Sequence, residues 1–117
     1  MKTMRNFLKV TKALSDKTRV RIFKMLQQKE MCVCEVQAVL GMAQSTVSKH
    51  LKILEDAGLI MRTKDGLWVN YQIDRHSHNP HTGPIISYLC SVLDDDAEVK
   101  ADAKKAAITN RFELCSK

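Results

Sequence analysis

No apolar run in this 117-residue chain approaches the roughly 20 residues that a bilayer-spanning helix needs, so no segment is expected to cross a membrane. Met1-Lys2-Thr3-Met4-Arg5 is basic, but neither a continuous apolar stretch nor a small-residue cleavage site follows. A secretory leader is therefore not expected, and the cytoplasm is the expected location. Internal repeats, low-complexity tracts and long linkers are also missing, which points to a single domain over 1–117. The four glycines, Gly41, Gly58, Gly66 and Gly83, fall at expected helix ends, turns or loops, and none builds a phosphate-binding loop. No nucleophile has a recognisable base and orienting partner, so an enzyme is not expected. The chain does have four cysteines. A reducing compartment and a helical domain of this size argue against staples, and Cys32 and Cys34 are too close for an ordinary bridge. Free thiols are expected.

The formal net charge is +6, and it is unevenly placed. Residues 1–30 hold nine Lys/Arg against two acids, 31–73 hold four against four, and 74–117 hold six against seven. A basic excess, doubled in a symmetric dimer, favours a polyanionic partner.

Hydrophobic periodicity predicts a helix over 2–14, then a second from a Ser15 N-cap to about Gln28, with Val20, Ile22, Phe23, Met25 and Leu26 as its core stripe. A short helix follows, with Cys32 and Cys34 at or just before its start, Val36, Val39 and Leu40 on one face, and Gly41 as its stop. The next helix, Ala43 to Ala57, buries Val47, Leu51 and Leu54 at i, i+4 and i+7. Asp65-Gly66 signals a hairpin between two short runs, and Val69, Tyr71 and Ile73 alternate with Trp68, Asn70 and Gln72 as in a half-buried strand. After a polar connection, Ile85, Ile86, Leu89, Val92 and Leu93 form another helical stripe. Asp94-Asp95-Asp96 then caps a last helix from about Ala97 to Phe112.

Short helix, glycine turn, second helix and hairpin, in that order, define a mainly α fold with a β-hairpin: a winged helix-turn-helix, with 31–57 as the helix-turn-helix and 59–73 as the wing. The second of these helices would lie in the major groove of double-stranded DNA. Its outward residues Gln44, Ser45, Thr46, Ser48, Lys49, His50 and Lys52 include groups that bond base edges or phosphates. Arg62 and Lys64 flank the wing tip, placed for the DNA backbone or minor groove.

Ser15-Asp16-Lys17-Thr18-Arg19, Gln44-Ser45-Thr46-Val47-Ser48-Lys49-His50-Leu51, Leu54-Glu55-Asp56-Ala57-Gly58-Leu59-Ile60 and the following hairpin resemble the arsenical-resistance repressor (ArsR/SmtB) family over roughly residues 8–73. The resemblance implies a homodimer paired through its first and last helices, here 1–14 and 84–113. It also implies a transcriptional repressor that binds an imperfect palindrome of operator DNA and releases it on binding inducer. Met31-Cys32-Val33-Cys34-Glu35-Val36 is similar to that family's arsenic-sensing box, with Gln37 where some members have a third cysteine. Trivalent arsenic or antimony is the inducer so implied, with no organic cofactor.

The thiols fit that chemistry, because soft ligands select soft ions. A helix N-terminus lowers a thiol pKa, so thiolate is expected near neutral pH. In a regular helix, i and i+2 point about 200° apart and cannot share an ion, whereas in extended backbone they lie on one side. Ion binding is thus expected to require an extended or unravelled helix start. Cys90, on an apolar helical face, and Cys115, in the terminal tail, both remain candidates for a third sulfur. Two rivals use the same scaffold. One is a thiol redox or reactive-sulfur sensor using a pair such as Cys34 and Cys90. The other is a zinc- or cadmium-responsive repressor, for which His76, His78 and His81 form a cluster of no recognised zinc spacing and read as solvated loop histidines.

Overall fold

The computed structural model describes residues 3–109. Helix α1 (Met4–Ala13) starts at Thr3, whose hydroxyl accepts the Asn6 N–H at 3.1 Å. Helix α2 (Lys17–Gln28) is capped by Asp16, which accepts from the Arg19 N–H at 3.1 Å. Ser15, the expected cap, instead ends α1 by donating to the Lys12 carbonyl at 2.9 Å. The helix begins one residue later than expected, and the carboxylate is well suited to its positive end.

Strand β1 (Met31–Cys32) follows, and was not expected. Two residues are too few to show a period of two. They pair antiparallel with β3 (Trp68–Ile73), Met31 opposite Tyr71 and Cys32 opposite Asn70. Strand β2 (Ile60–Asp65) pairs with the other edge of β3, so the wing belongs to a three-stranded sheet of order β1-β3-β2. The hairpin turns where Gly66 adopts φ 63°, with Asp65 opposite Trp68. The expected alternation holds for Tyr71 and Ile73, which are buried, but fails near the tip: Val69 is 37% exposed and Asn70 only 5%. Asn70 sits in the central strand opposite Cys32 and donates from Nδ2 to Glu30 Oε1 at 3.0 Å. A central position with a polar partner overrides the simple in-out rule.

Helix α3 (Val33–Leu40) ends at Gly41, whose φ of 68° and N–H bond to the Gln37 carbonyl at 2.8 Å make a left-handed stop. Helix α4 (Gln44–Asp56) completes the helix-turn-helix. Helices α5 (Thr82–Cys90) and α6 (Ala97–Ile108) close the chain, Asp96 capping α6 from the Glu98 and Val99 N–H groups at 3.0 and 3.1 Å. The expected continuation of α6 to Phe112 lies outside the described residues. Among the described residues no helix is long and apolar enough to cross a membrane.

The core gathers one face from each element: Ile22 and Phe23 of α2, Val36 of α3, Val47, Leu51 and Leu54 of α4, and Leu59 and Ile60 at the entrance to the wing. Burying each such aliphatic or aromatic side chain contributes about 1.5–3 kcal/mol. Polar clamps then fix the last helices on α2. Arg21 meets the buried Asp102 of α6 in a two-pronged pair, Nε to Oδ2 at 2.8 Å and Nη2 to Oδ1 at 2.9 Å. That bond chiefly raises the Arg21 pKa against the opposing effect of burial, so the guanidinium stays charged.

Candidate nucleic-acid interface and cysteine site

Helix α4 is held by Val47, Leu51 and Leu54, all fully buried, and the opposite face follows from that spacing. Gln44, Ser45, Thr46, Ser48, Lys49 and Lys52 are exposed together, as the sequence predicts. The N-cap is Ala43, which has no side-chain bond to offer the first N–H groups. An end left open in this way suits phosphate oxygens. Lys52 pairs with Asp56 one turn on at 3.3 Å, both well exposed, and a pair of that kind contributes little. Arg62 of β2 is exposed and meets Glu55 Oε2 at 3.3 Å, while Lys64 is exposed closer to the wing tip. His50 is placed differently. It is half-buried at the edge of the stripe, with Nδ1 3.3 Å from Arg19 Nη1.

The cysteine segment lies immediately before this unit. Cys32 is extended (φ −86°, ψ 169°), forms the last residue of β1 and serves as the N-cap of α3. Its side chain is buried, 3% exposed. Cys34 is in the first turn of α3 and lines a shallow concavity with Gln37, Ala38, Gly41 and Met42. Burial pushes the Cys32 thiol up, the Glu35 backbone N–H opposes it, and the Glu35 carboxylate charge reinforces it. The expectation of a lowered Cys32 pKa at a helix start is thus overturned, because desolvation outweighs the helix end. Glu35 was not singled out from the sequence. Its Oε1 accepts the Cys32 N–H at 3.0 Å, and its Oε2 lies 3.9 Å from Lys29 Nζ. The signal was present as Cys32-x-x-Glu35, a capping-box spacing with sulfur in place of a hydroxyl.

Cys32 and Cys90 are free thiols. Cys34 is disulfide-bonded, which corrects the expectation of four free thiols. The spacing argument excludes only a bridge between Cys32 and Cys34. Cys90 is half-buried and packs against the core, as a small hydrophobe does, so the suggested Cys34–Cys90 pair is not formed. Cys115 lies outside the described residues. His76 and His78 are exposed, whereas His81 packs edge-on against Phe7, ring centroids 5.5 Å apart, with Nε2 3.2 Å from the Thr3 carbonyl. Among the described residues no three His, Cys, Asp or Glu side chains gather to hold a metal ion.

The exposed polar face of α4, the turn at Gly41 and the hairpin behind them define a winged helix-turn-helix. Residues 16–62 match the model of the bacterial regulatory protein, arsR family. The chain is 33% identical over 91 residues to the arsenical resistance operon repressor of Bacillus subtilis (strain 168), covering 77% of this chain and 84% of that one. It is 28% identical over 104 residues to the protein of the same description from Escherichia coli (strain K12), covering 88% and 82%. Among solved structures, the homodimeric winged helix-turn-helix DNA-binding domain of a possible ArsR-family regulator from Mycobacterium bovis superposes with a TM-score of 0.62 at 26% identity, over 75% of this chain and 74% of that one. The chain belongs to the arsR family of bacterial regulatory proteins, which are DNA-binding transcriptional regulators and not enzymes.

Proposed function

We propose that this chain is a homodimeric repressor of a metalloid-resistance operon, released from an imperfectly palindromic operator when trivalent arsenic or antimony binds Cys32 and Cys34 in the reduced protein, in which Cys34 is a thiol. The observation that carries the proposal is the placement of these sulfurs. Cys32 is in extended backbone at the α3 N-cap, and Cys34 is two residues on, in the first turn of the helix-turn-helix. With Cys32 already extended, a shared ion requires Cys34 to leave the first helical turn, since i and i+2 lie on one side only where the backbone is extended. Opening it costs the capping box and displaces α3, which packs on α4. The ion then favours the conformation that DNA disfavours, as a switch requires. Relatives described as arsenical resistance operon repressors support the choice of ligand.

DNA contacts are assigned to Gln44, Ser45, Thr46, Ser48, Lys49 and Lys52 in the major groove, and to Arg62 and Lys64 from the wing. Pairing through 1–14 and 84–113 is supported by apolar side chains left uncovered on α1, α5 and α6: Met4 at 73%, Leu8 at 51%, Tyr88 at 68% and Ile108 at 84% exposure. A second reading, a thiol redox repressor, is favoured by the disulfide on Cys34. Both are tested on the duplex that the wild-type chain selects from a random pool, titrated with arsenite, antimonite, cadmium, zinc and peroxide. Release by arsenite that is lost in Cys32→Ser and Cys34→Ser is expected. Release by peroxide alone would replace the metalloid with redox sensing.

A further inference from the structure

The Ser15-Asp16-Lys17-Thr18-Arg19 stretch is the most polar part of the family resemblance, yet it lies outside the helix-turn-helix. Its last residue explains why. Arg19 is fixed by its own N–H on Asp16 Oδ2, and its guanidinium then takes three partners. Nε donates to the Ala13 carbonyl at 2.7 Å and Nη2 to the Lys12 carbonyl at 3.2 Å, both at the end of α1. Both carbonyls lie at the negative end of the α1 dipole, and the Lys12 carbonyl also accepts from Ser15 Oγ at 2.9 Å. Nη1 reaches in the third direction to His50 Nδ1 of α4 at 3.3 Å. Arginine has donors only, so Nδ1 accepts and the ring proton lies on Nε2. The planar fork makes the three directions one rigid unit.

We infer that Arg19 is a positioning residue for DNA recognition, and that His50 is the handle by which it fixes the rotation of α4 against the end of α1. The inference rests on α4 being the recognition helix. Apolar packing of Val47, Leu51 and Leu54 holds α4 to the core but is non-directional. A hydrogen bond to an imidazole at the boundary between buried and exposed faces is directional. It sets where Gln44, Ser45, Ser48 and Lys49 point. Lysine at position 19 would keep the charge but lose the fork. Asparagine at position 50 would keep an acceptor near the Nδ1 position, and leucine would not.

The test compares binding to the selected duplex and to a shuffled duplex, across a salt series, for Arg19→Lys, His50→Leu, His50→Asn, Arg19→Lys/His50→Leu and Lys49→Gln, each checked for folding by urea denaturation. Loss of one charge-assisted bond predicts that Arg19→Lys and His50→Leu each reduce the selected-to-shuffled ratio about tenfold. The salt slope is expected to stay unchanged, whereas losing a phosphate contact reduces it by about 0.9. The double variant is expected to be no worse than either single one, because both cut one link. His50→Asn is expected to restore most of the ratio. Additive losses, a shallower slope at position 50, or failure of His50→Asn to exceed His50→Leu would overturn the inference. If Lys49→Gln changes neither affinity nor slope, the reading of α4 as the recognition helix fails instead.

Discussion

Lys24 Nζ donates to the Leu89 carbonyl at 2.9 Å from a side chain that is only 2% exposed. The same ammonium donates to the Val92 carbonyl at 2.7 Å and meets Asp94 Oδ1 at 2.9 Å. A lysine of α2 thus adds to the C-terminal end of α5, where the Val92 N–H already reaches the Leu89 carbonyl at 3.4 Å. Asp94 is largely exposed, so the two carbonyls account for most of the effect. Lys24→Met is expected to lower unfolding free energy by about 2 kcal/mol, because the Val92 carbonyl loses the ammonium and the Leu89 carbonyl keeps only the longer bond from the Val92 N–H. Urea denaturation at fixed protein concentration checks this: the midpoint should fall with an unchanged slope. A change below about 0.5 kcal/mol would show that surface behaviour, not burial, governs this site.

Arg21 and Asp102 give a second expectation. Asp102→Ala leaves a half-buried guanidinium without its two-pronged partner and should cost about 3 kcal/mol. Arg21→Met/Asp102→Leu should recover much of that loss, since neither charge is then stranded. Thermal unfolding of the single and double variants checks it, and equal losses in both would count against the pair.

Two left-handed glycines should differ in cost. At Gly41, with φ +68°, an added Cβ meets nothing within 4 Å. Gly41→Ala is therefore expected to cost about 1 kcal/mol, from backbone strain alone. At Gly58, with φ +83°, the same atom falls 2.3 Å from Ser77 Oγ and 3.1 Å from Asn79 Cβ. Asn79 is buried and bonds the Asn6 and Ala57 carbonyls at 3.1 Å each, so it cannot readily retreat. Gly58→Ala should cost about 3 kcal/mol, strain and overlap together. Paired denaturation curves decide the order.

Cys32 carries a pH prediction. Its thiol is raised in the folded state by burial, so folding favours the protonated form. The stabilising contribution is complete below the ordinary thiol pKa of about 8.5 and is lost as pH rises through the higher folded value. Unfolding free energy should thus show a decline on the alkaline side that is absent in Cys32→Ala. Alkylation of Cys32 followed by mass spectrometry should accelerate only above that range. A midpoint near neutral pH would contradict the burial argument.

Much of this fold was legible because helices long enough to show a 3.6-residue period announce themselves. Val47, Leu51 and Leu54 marked α4 and, by exclusion, its outward face. Gly41 and Asp65-Gly66 marked the turns through backbone preference. What escaped was short or long-range. Strand β1 has only two residues, so no period exists to read. Arg19, Lys24 and Asp102 are ordinary surface residues by type, and only tertiary packing turns them inward. The Cys32 pKa went the wrong way because helix-end electrostatics is local and visible, while desolvation depends on elements far along the chain.

The pairing of Cys32 with Asn70 has a mechanical consequence. Asn70 is bordered by Thr63 on its other side, so one row of paired residues runs from the sulfur-bearing residue across the sheet to the outer strand of the wing. The helix that starts at this residue runs the other way, into the helix-turn-helix. Cys32 is thus a shared anchor for two levers, and a pull on it loads α3 of the helix-turn-helix and the wing together. On the function proposed above, one chemical event at this residue would loosen both grips on DNA without any signal crossing the molecule.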